Sequence, residues 1–173
     1  MLSFHRAELS DAHSITELVN AAYRGEPKSL GWTSEYDLLD GLQITTPEVA
    51  AIIKRDDAFL LVGVLRDQIV ATIACEHQEN TAKFSLIEVK PSLQNKGYGR
   101  EMIRAAEAIT TRAWRVAGFY MSVITLRTEL IEFYERLGFQ RSGQFEEFPE
   151  SPKVWQPKVP SLALEYLVKL TRR

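Results

Sequence analysis

The chain has 173 residues, 45% hydrophobic and 25% charged, with 21 Lys and Arg against 23 Asp and Glu. These values fit one globular domain, 1–173, and exclude a largely disordered chain; the missing basic excess argues against a nucleic-acid partner. One cysteine, Cys75, leaves no internal disulfide and no multi-cysteine zinc site.

Met1–Glu8 carries no apolar run after its basic residues, and the longest apolar stretch, Ala58–Leu65, falls well short of the roughly 20 residues a membrane span needs. The expectation is a cytoplasmic protein with no membrane partner.

In chain order, Leu2–Glu8 reads as a strand. Ser10 or Asp11 offers a cap oxygen to a helix with the stripe Ile15, Leu18, Val19 and Ala22, ending near Gly25 and Pro27. Pro27, Gly31 and Gly41 break the next stretch, where a short helix is expected from about Thr33. Thr46-Pro47-Glu48 starts another helix, with Thr46 as cap and Val49, Ile52 and Ile53 as buried stripe. Ala58–Leu65, Ile69–His77 and Lys83–Lys90 form an antiparallel meander, with Ile69, Ala71, Ile73 and Cys75 on one face.

From Gly97 the period becomes helical, through Met102, Ala106, Ile109 and Ala113, with Gly118 closing the segment before a buried strand Phe119–Ile124. A strand, a helix and a strand in this order make a right-handed crossover between parallel strands. Thr128 caps a helix carrying Leu130, Phe133, Tyr134 and Leu137, and Gly138 ends it. Phe139–Phe145 is a strand and the proline-rich stretch Glu146–Pro160 a long loop. A last strand places Leu162, Leu164, Tyr166, Val168 and Leu170 on one face. The sum is an α+β fold, a mixed sheet with helices on both faces.

Chemistry concentrates in Val89-Lys-Pro-Ser-Leu-Gln94-Asn95-Lys96-Gly97-Tyr98-Gly99-Arg100, which joins a strand to the long helix. Glycines let backbone approach a ligand closely, and the free N–H groups of a helix's first turn form an anion site. Lys96 and Arg100 add full charges. The segment reads as a pyrophosphate-binding turn. It lacks the Walker pattern, and Met102 stands where a dinucleotide fingerprint needs its third glycine.

Gln94-x-x-Gly97-x-Gly99, preceded by Val89-x-Pro91, resembles the acetyl-CoA signature of the GNAT superfamily of N-acetyltransferases. Phe133-Tyr134-Glu-Arg-Leu-Gly138-Phe139 resembles the family's aromatic-Tyr-x-x-x-Gly-Phe helix, and the two stand in the family's order with a strand between them. The sequence departs from the pattern at Arg127 and Leu130, where many members carry Asn and Ala. Arg127 is open to a phosphate or a substrate carboxylate.

The resemblance implies the GNAT fold over nearly the whole chain and direct acyl transfer from acetyl-CoA to an amine, without a covalent enzyme intermediate. It implies CoA contacts from Val89, Gln94, Asn95, Lys96, Gly97, Tyr98, Gly99 and Arg100, backbone donation near Val89 to the thioester oxygen, and Tyr134 as acid for the thiolate. An alkylammonium must lose a proton before it attacks. Glu88 is the first candidate for that base, on the opposite strand face from Val89. His77, on the neighbouring strand, is the second. An exposed or salt-bridged strand Glu88 is the alternative.

Tyr23, Arg24 and Trp32 are the candidate acceptor-pocket residues. Glu26, Glu35, Tyr36 and Asp37 stand nearby, and Phe148 and Trp155 are candidates for the opposite wall. A small-molecule primary amine is the expected substrate. Cys75 reads as a buried small hydrophobe, and the scattered His5, His13 and His77 suggest no metal. A non-catalytic acyl-CoA-binding module is the alternative function, with an NAD- or nucleotide-binding domain behind it. The last strand leaves a homodimer open.

Overall fold

A computed structural model describes residues 1–24, 34–149 and 155–171, except the side chain of Arg24. The strands are β1 (Ser3–Arg6), β2 (Leu39–Gly41), β3 (Ala58–Leu65), β4 (Gln68–Gln78), β5 (Thr81–Val89), β6 (Gly118–Ile124), β7 (Gln140–Glu147), β8 (Trp155–Pro157) and β9 (Ala163–Leu170). The helices are α1 (Ala12–Arg24), α2 (Thr46–Ile53), α3 (Tyr98–Trp114) and α4 (Thr128–Arg136). Seven strands form one sheet in the order β1-β3-β4-β5-β6-β9-β7, while β2 and β8 pair separately.

Apolar faces on the helices decide the layers. Ala12, Ile15 and Val19 of α1 and Val49 of α2 pack with Leu60, Val62 and Ala74 on one face. Met102, Ile103 and Ala106 of α3 and Leu130 and Ile131 of α4 pack with Leu61, Ile73, Phe84 and Met121 on the other. The fold is therefore α+β, a mixed sheet with helices on both faces.

One pair of strands opens the sheet. β5 and β6 are parallel, as the crossover through α3 requires, but pair only from Thr81↔Gly118 to Lys83↔Tyr120. Beyond that β6 keeps β9 as its partner, as far as Ile124↔Leu164. The far halves of β5 and β6 therefore separate into a split.

A bulge sets what faces that split. Ala74 pairs with Ser85 and Thr72 with Glu88, so Leu86 and Ile87 together oppose Ile73. Leu86 takes φ +48, a strained value for a non-glycine residue. The extra residue inverts the alternation: Ala82 and Phe84 pack on the α3 side, Leu86 on the α1 side, and Ile87 and Val89 on the α3 side again. Glu88 consequently shares the α1 face with Thr72.

Several local expectations change. The cap of α2 is Thr45, whose N–H and hydroxyl both donate to Glu48 at 2.7 Å, because Pro47 fits the first turn with either Thr before it. Arg127, not Thr128, is the N-cap of α4. α3 ends at Trp114 with Arg115 left-handed, and Gly118 already belongs to β6. A bulge at Val70 moves Ile69 to the α1 side, away from Ala71, Ile73 and Cys75. On β9, Leu167 is fully buried while Val168 and Leu170 are exposed, because only the α3/α4 face is covered at that end. Thr33 lies outside the described residues; the chain after it makes a turn at Tyr36–Leu38 and then β2 rather than a helix. The proline-rich stretch contains β8, which pairs with β2 from Leu39↔Pro157 to Gly41↔Trp155.

Candidate active site

At the end of β5 the chain turns through a short 3-10 segment, Pro91–Leu93, and enters α3. Asn95 and Gly97 have φ of +62 and +86, and Gly97 is the N-cap of α3. The first amides of α3 have no acceptor four residues back, so they and the positive end of the helix dipole face outward. The Gln94 side-chain amide donates to Val89 O at 3.0 Å and ties the turn back to the strand.

A cleft of about 490 Å³ runs from this turn into the split. Its walls are Ile87, Glu88 and Val89 of β5, Gln94, Asn95, Gly97, Tyr98, Gly99 and Arg100 of the turn and α3, and Glu129, Leu130, Glu132, Phe133, Tyr134 and Arg136 of α4. The expected turn residues therefore converge, except Lys96, which lines a separate surface groove beside Lys90 and Ser92. A Cβ on Gly99 would come within 3.5 Å of Phe133 and 3.9 Å of Val89, so its absence keeps the passage between α3 and α4 open. These features fit a diphosphate and its extended arm: aimed amides and Arg100 and Arg136 for the anion, and an apolar channel along β5 for the chain. Lys90 N–H bonds back to Val70 O on β4, so alternation turns Val89 N–H toward the split. It makes a weak bond of 3.3 Å to the Glu88 carboxylate there.

Glu88 is 1% exposed, so it is not a solvated strand glutamate. Tyr134 is also buried, edge-on to Phe133 at 5.3 Å and to Phe139 at 6.2 Å. Burial, and then the charge of Glu88, push the Tyr134 phenol above its ordinary value. Tyr134 therefore stays protonated at neutral pH and can donate. Tyr23 is raised well above its ordinary value by burial first, then Glu88, Tyr134 and Glu35. His77 lies elsewhere. It pairs with Ala82 at the opposite end of the β4–β5 ladder from Thr72↔Glu88, and stacks on Trp114 at 5.1 Å. It is not a base for this site.

A second cavity of about 210 Å³ meets the cleft at Ile87, Leu130 and Tyr134. Tyr23, Glu35 and Gln43 wall one side, Ser85 and the β6 residues Met121–Ile124 another, and Phe148, Pro149, Trp155 and Leu164 a third. Tyr23 thus lines the same cavity as the late-chain aromatics Phe148 and Trp155. Trp32 and the side chain of Arg24 lie outside the described residues. Tyr36 instead packs under the Lys158 ammonium at 4.0 Å. Arg127 meets a carboxylate of the protein itself, its Nη1 4.0 Å from Glu35 Oε1. Sequence reasoning missed Arg136 and Phe133 as cleft residues; their spacing with Glu129 along one face of α4 was the available signal. Among the described residues no cluster of three or more His, Cys, Asp or Glu could hold a metal, and no helix is long and apolar enough to cross a membrane.

Residues 56–141 match the family model of the acetyltransferase (GNAT) domain. The chain belongs to the GNAT acetyltransferase family. Similar solved structures include a probable acetyltransferase from Staphylococcus epidermidis, with a TM-score of 0.74 and 13% identity over 99% of this chain and 100% of that one. The ribosomal-protein-S18-alanine N-acetyltransferase of Escherichia coli gives 0.72 and 13% over 100% and 96%. Mutant forms of the spermidine/spermine N-acetyltransferase SpeG of Vibrio cholerae give 0.69 and 16% over 98% and 95%. At these identities the likeness is one of fold. No curated protein matches the chain by sequence.

Proposed function

We propose that the protein, a single catalytic domain, transfers the acetyl group of acetyl-CoA to a primary amine of a small molecule, by direct attack with both substrates bound. The observation that carries this reading is the meeting of two cavities at Tyr134, one lined by the glycine turn and Arg100, the other by Tyr23 and Glu35. A donor entering from α3 and an acceptor entering from the β8 side would meet where β5 and β6 part.

Acetyl-CoA supplies the activated acyl group, and the chain's own residues do the rest. Glu88 takes the proton that the ammonium must lose, so that the nitrogen lone pair forms the C–N bond. Val89 N–H donates to the carbonyl oxygen as it gains negative charge. As the C–S bond breaks, the protonated Tyr134 hydroxyl gives its proton to the departing sulfur, and the second proton that the new amide nitrogen sheds returns Tyr134 to its protonated form. Burial of Glu88 beside Tyr134 supports this catalytic reading over that of an acyl-CoA-binding module. The reading places the protein in the cytoplasm, where acetyl-CoA circulates, and leaves a homodimer possible.

The test begins with calorimetric titration of acetyl-CoA, with NAD and ATP as controls. Saturable acetyl-CoA binding weakened by Gly97→Glu, followed by amine-dependent thiol release, is the expected result. Binding of neither acetyl-CoA nor a longer acyl-CoA would overturn the assignment.

A further inference from the structure

Thr72 and Thr110 are both fully buried, and their hydroxyls differ. Thr110 donates to Ala106 O at 2.7 Å, one turn back along α3, as a buried hydroxyl ordinarily must. The Thr72 hydroxyl has no hydrogen-bond partner among the described residues. A valine would fill the same space without leaving a polar group unmet. What stands across the ladder gives the hydroxyl a use. The Ala74↔Ser85 register, continued without the bulge, would set Thr72 against Ile87; the extra residue sets it against Glu88 instead. The strained backbone of Leu86, at φ +48, is thus tied to this pairing. Directly opposed residues of antiparallel strands have Cβ atoms about 5 Å apart, a gap that a glutamate side chain can span.

One backbone donor, meanwhile, has two claimants. Val89 N–H makes its long bond of 3.3 Å to Glu88 Oε2, and the same N–H is the donor assigned above to the thioester oxygen. That oxygen gains negative charge during the reaction and cannot share the N–H with a carboxylate, because like charges at such a distance repel. We propose that Thr72 is a positioning residue for the transfer: when the acetyl-CoA carbonyl takes Val89 N–H, the Glu88 carboxylate moves toward β4 and accepts a hydrogen bond from the Thr72 hydroxyl. One carboxylate oxygen then rests on Thr72 while the other takes the ammonium proton. This rests on the acetyltransferase reading above and deepens it. The hydroxyl is idle in the free protein and bonded once the donor is seated, so its cost falls on the resting state and its benefit on the complex. Arrival of the acyl group thereby sets the position of the base.

The test is calorimetric titration of acetyl-CoA, and of CoA, which has no acyl oxygen, into the wild-type protein, Thr72→Val and Thr72→Ser. Thr72→Val should weaken acetyl-CoA about tenfold, the scale of a hydrogen bond to a charged group. Its affinity for CoA should be unaltered, which also reports that the variant is folded. Thr72→Ser keeps the hydroxyl and should restore most of the lost affinity. In a Glu88→Ala background Thr72→Val should change acetyl-CoA affinity by less than about twofold, because the hydroxyl then has no carboxylate to receive. The urea midpoint of free Thr72→Val should not fall. Equal acetyl-CoA affinity in wild type and Thr72→Val, an equal loss for CoA, an undiminished loss in the Glu88→Ala background, or a lowered midpoint of the free variant would each overturn the proposal while leaving the acetyltransferase reading intact. Failure of the wild-type protein to bind any CoA thioester would instead remove that reading, and the proposal with it.

Discussion

Arg127 Nη1 lies 4.0 Å from Glu35 Oε1, with the two side chains 11% and 10% exposed. The pair joins the start of α4 to the segment that follows α1, since Glu35 N–H also donates to Tyr23 O at 2.8 Å. It thus holds the Tyr23 side of the second cavity against the helix that carries Tyr134. Removing either partner takes away an ionic contact at low exposure. Glu35→Gln and Arg127→Met should each cost about 2 kcal/mol, between the values for exposed and buried pairs. The double variant should lose less than the sum. Urea unfolding of the four proteins checks this, and strict additivity would show that the pair is uncoupled.

Tyr134→Phe removes the proposed acid with little change in shape. Turnover should fall at least about 100-fold, the lower range for a positioned proton donor, with acetyl-CoA affinity unaltered. Wild-type turnover with a confirmed amine would end the acid role.

The same phenol gives a pH signature. Tyr134 and Tyr23 are both raised above their ordinary value of 10.0, chiefly by burial. Below that pH both states hold the protons. Above it the unfolded chain ionises and the folded one does not, so the folded state binds more protons and stability falls as pH rises. Urea midpoints should therefore drop above pH 10, and drop less in Tyr134→Phe. An equal drop would contradict the buried, raised phenol.

Gly97→Ala and Arg136→Ala separate the shape of the turn from its charge. A Cβ on Gly97 meets nothing within 4 Å, but the residue sits at φ +86. Alanine should cost about 1 kcal/mol through backbone conformation alone. Arg136→Ala should leave stability nearly unchanged and weaken acetyl-CoA about tenfold, the scale of a charge-assisted hydrogen bond. That loss should shrink at high salt. Salt-independent weakening would place Arg136 outside the anion site.

Thr72 is fully buried, and among the described residues its hydroxyl has no hydrogen-bond partner although it stands opposite Glu88 on the same face. Thr72→Val keeps the shape and removes the unmet polar group, so the variant should be about 1 kcal/mol more stable. A clear loss of stability in urea would mean that the hydroxyl is bonded in solution.

Local signals carried much of the structure. The glycine turn before α3 was legible because positive φ is a property of single residues, and Gly97 has it. The stripes of α1 and α3 were legible because a helix repeats over neighbours in sequence. The meander, the crossover and the aromatic-Tyr helix followed from the same short-range patterns. Tertiary structure decided where the chemistry points. The bulge at Leu86 turns Glu88 beneath α1, and it arises from pairing with β4, not from any preference of leucine for positive φ. β8 forms only because β2 supplies a partner across the chain, so a proline-rich segment could not announce it. Arg127 finds Glu35 across more than ninety residues, and the buried face of β9 depends on which face the helices cover. Short-range conformational preference is written residue by residue, whereas the meeting of distant side chains exists only once the sheet has closed around its split.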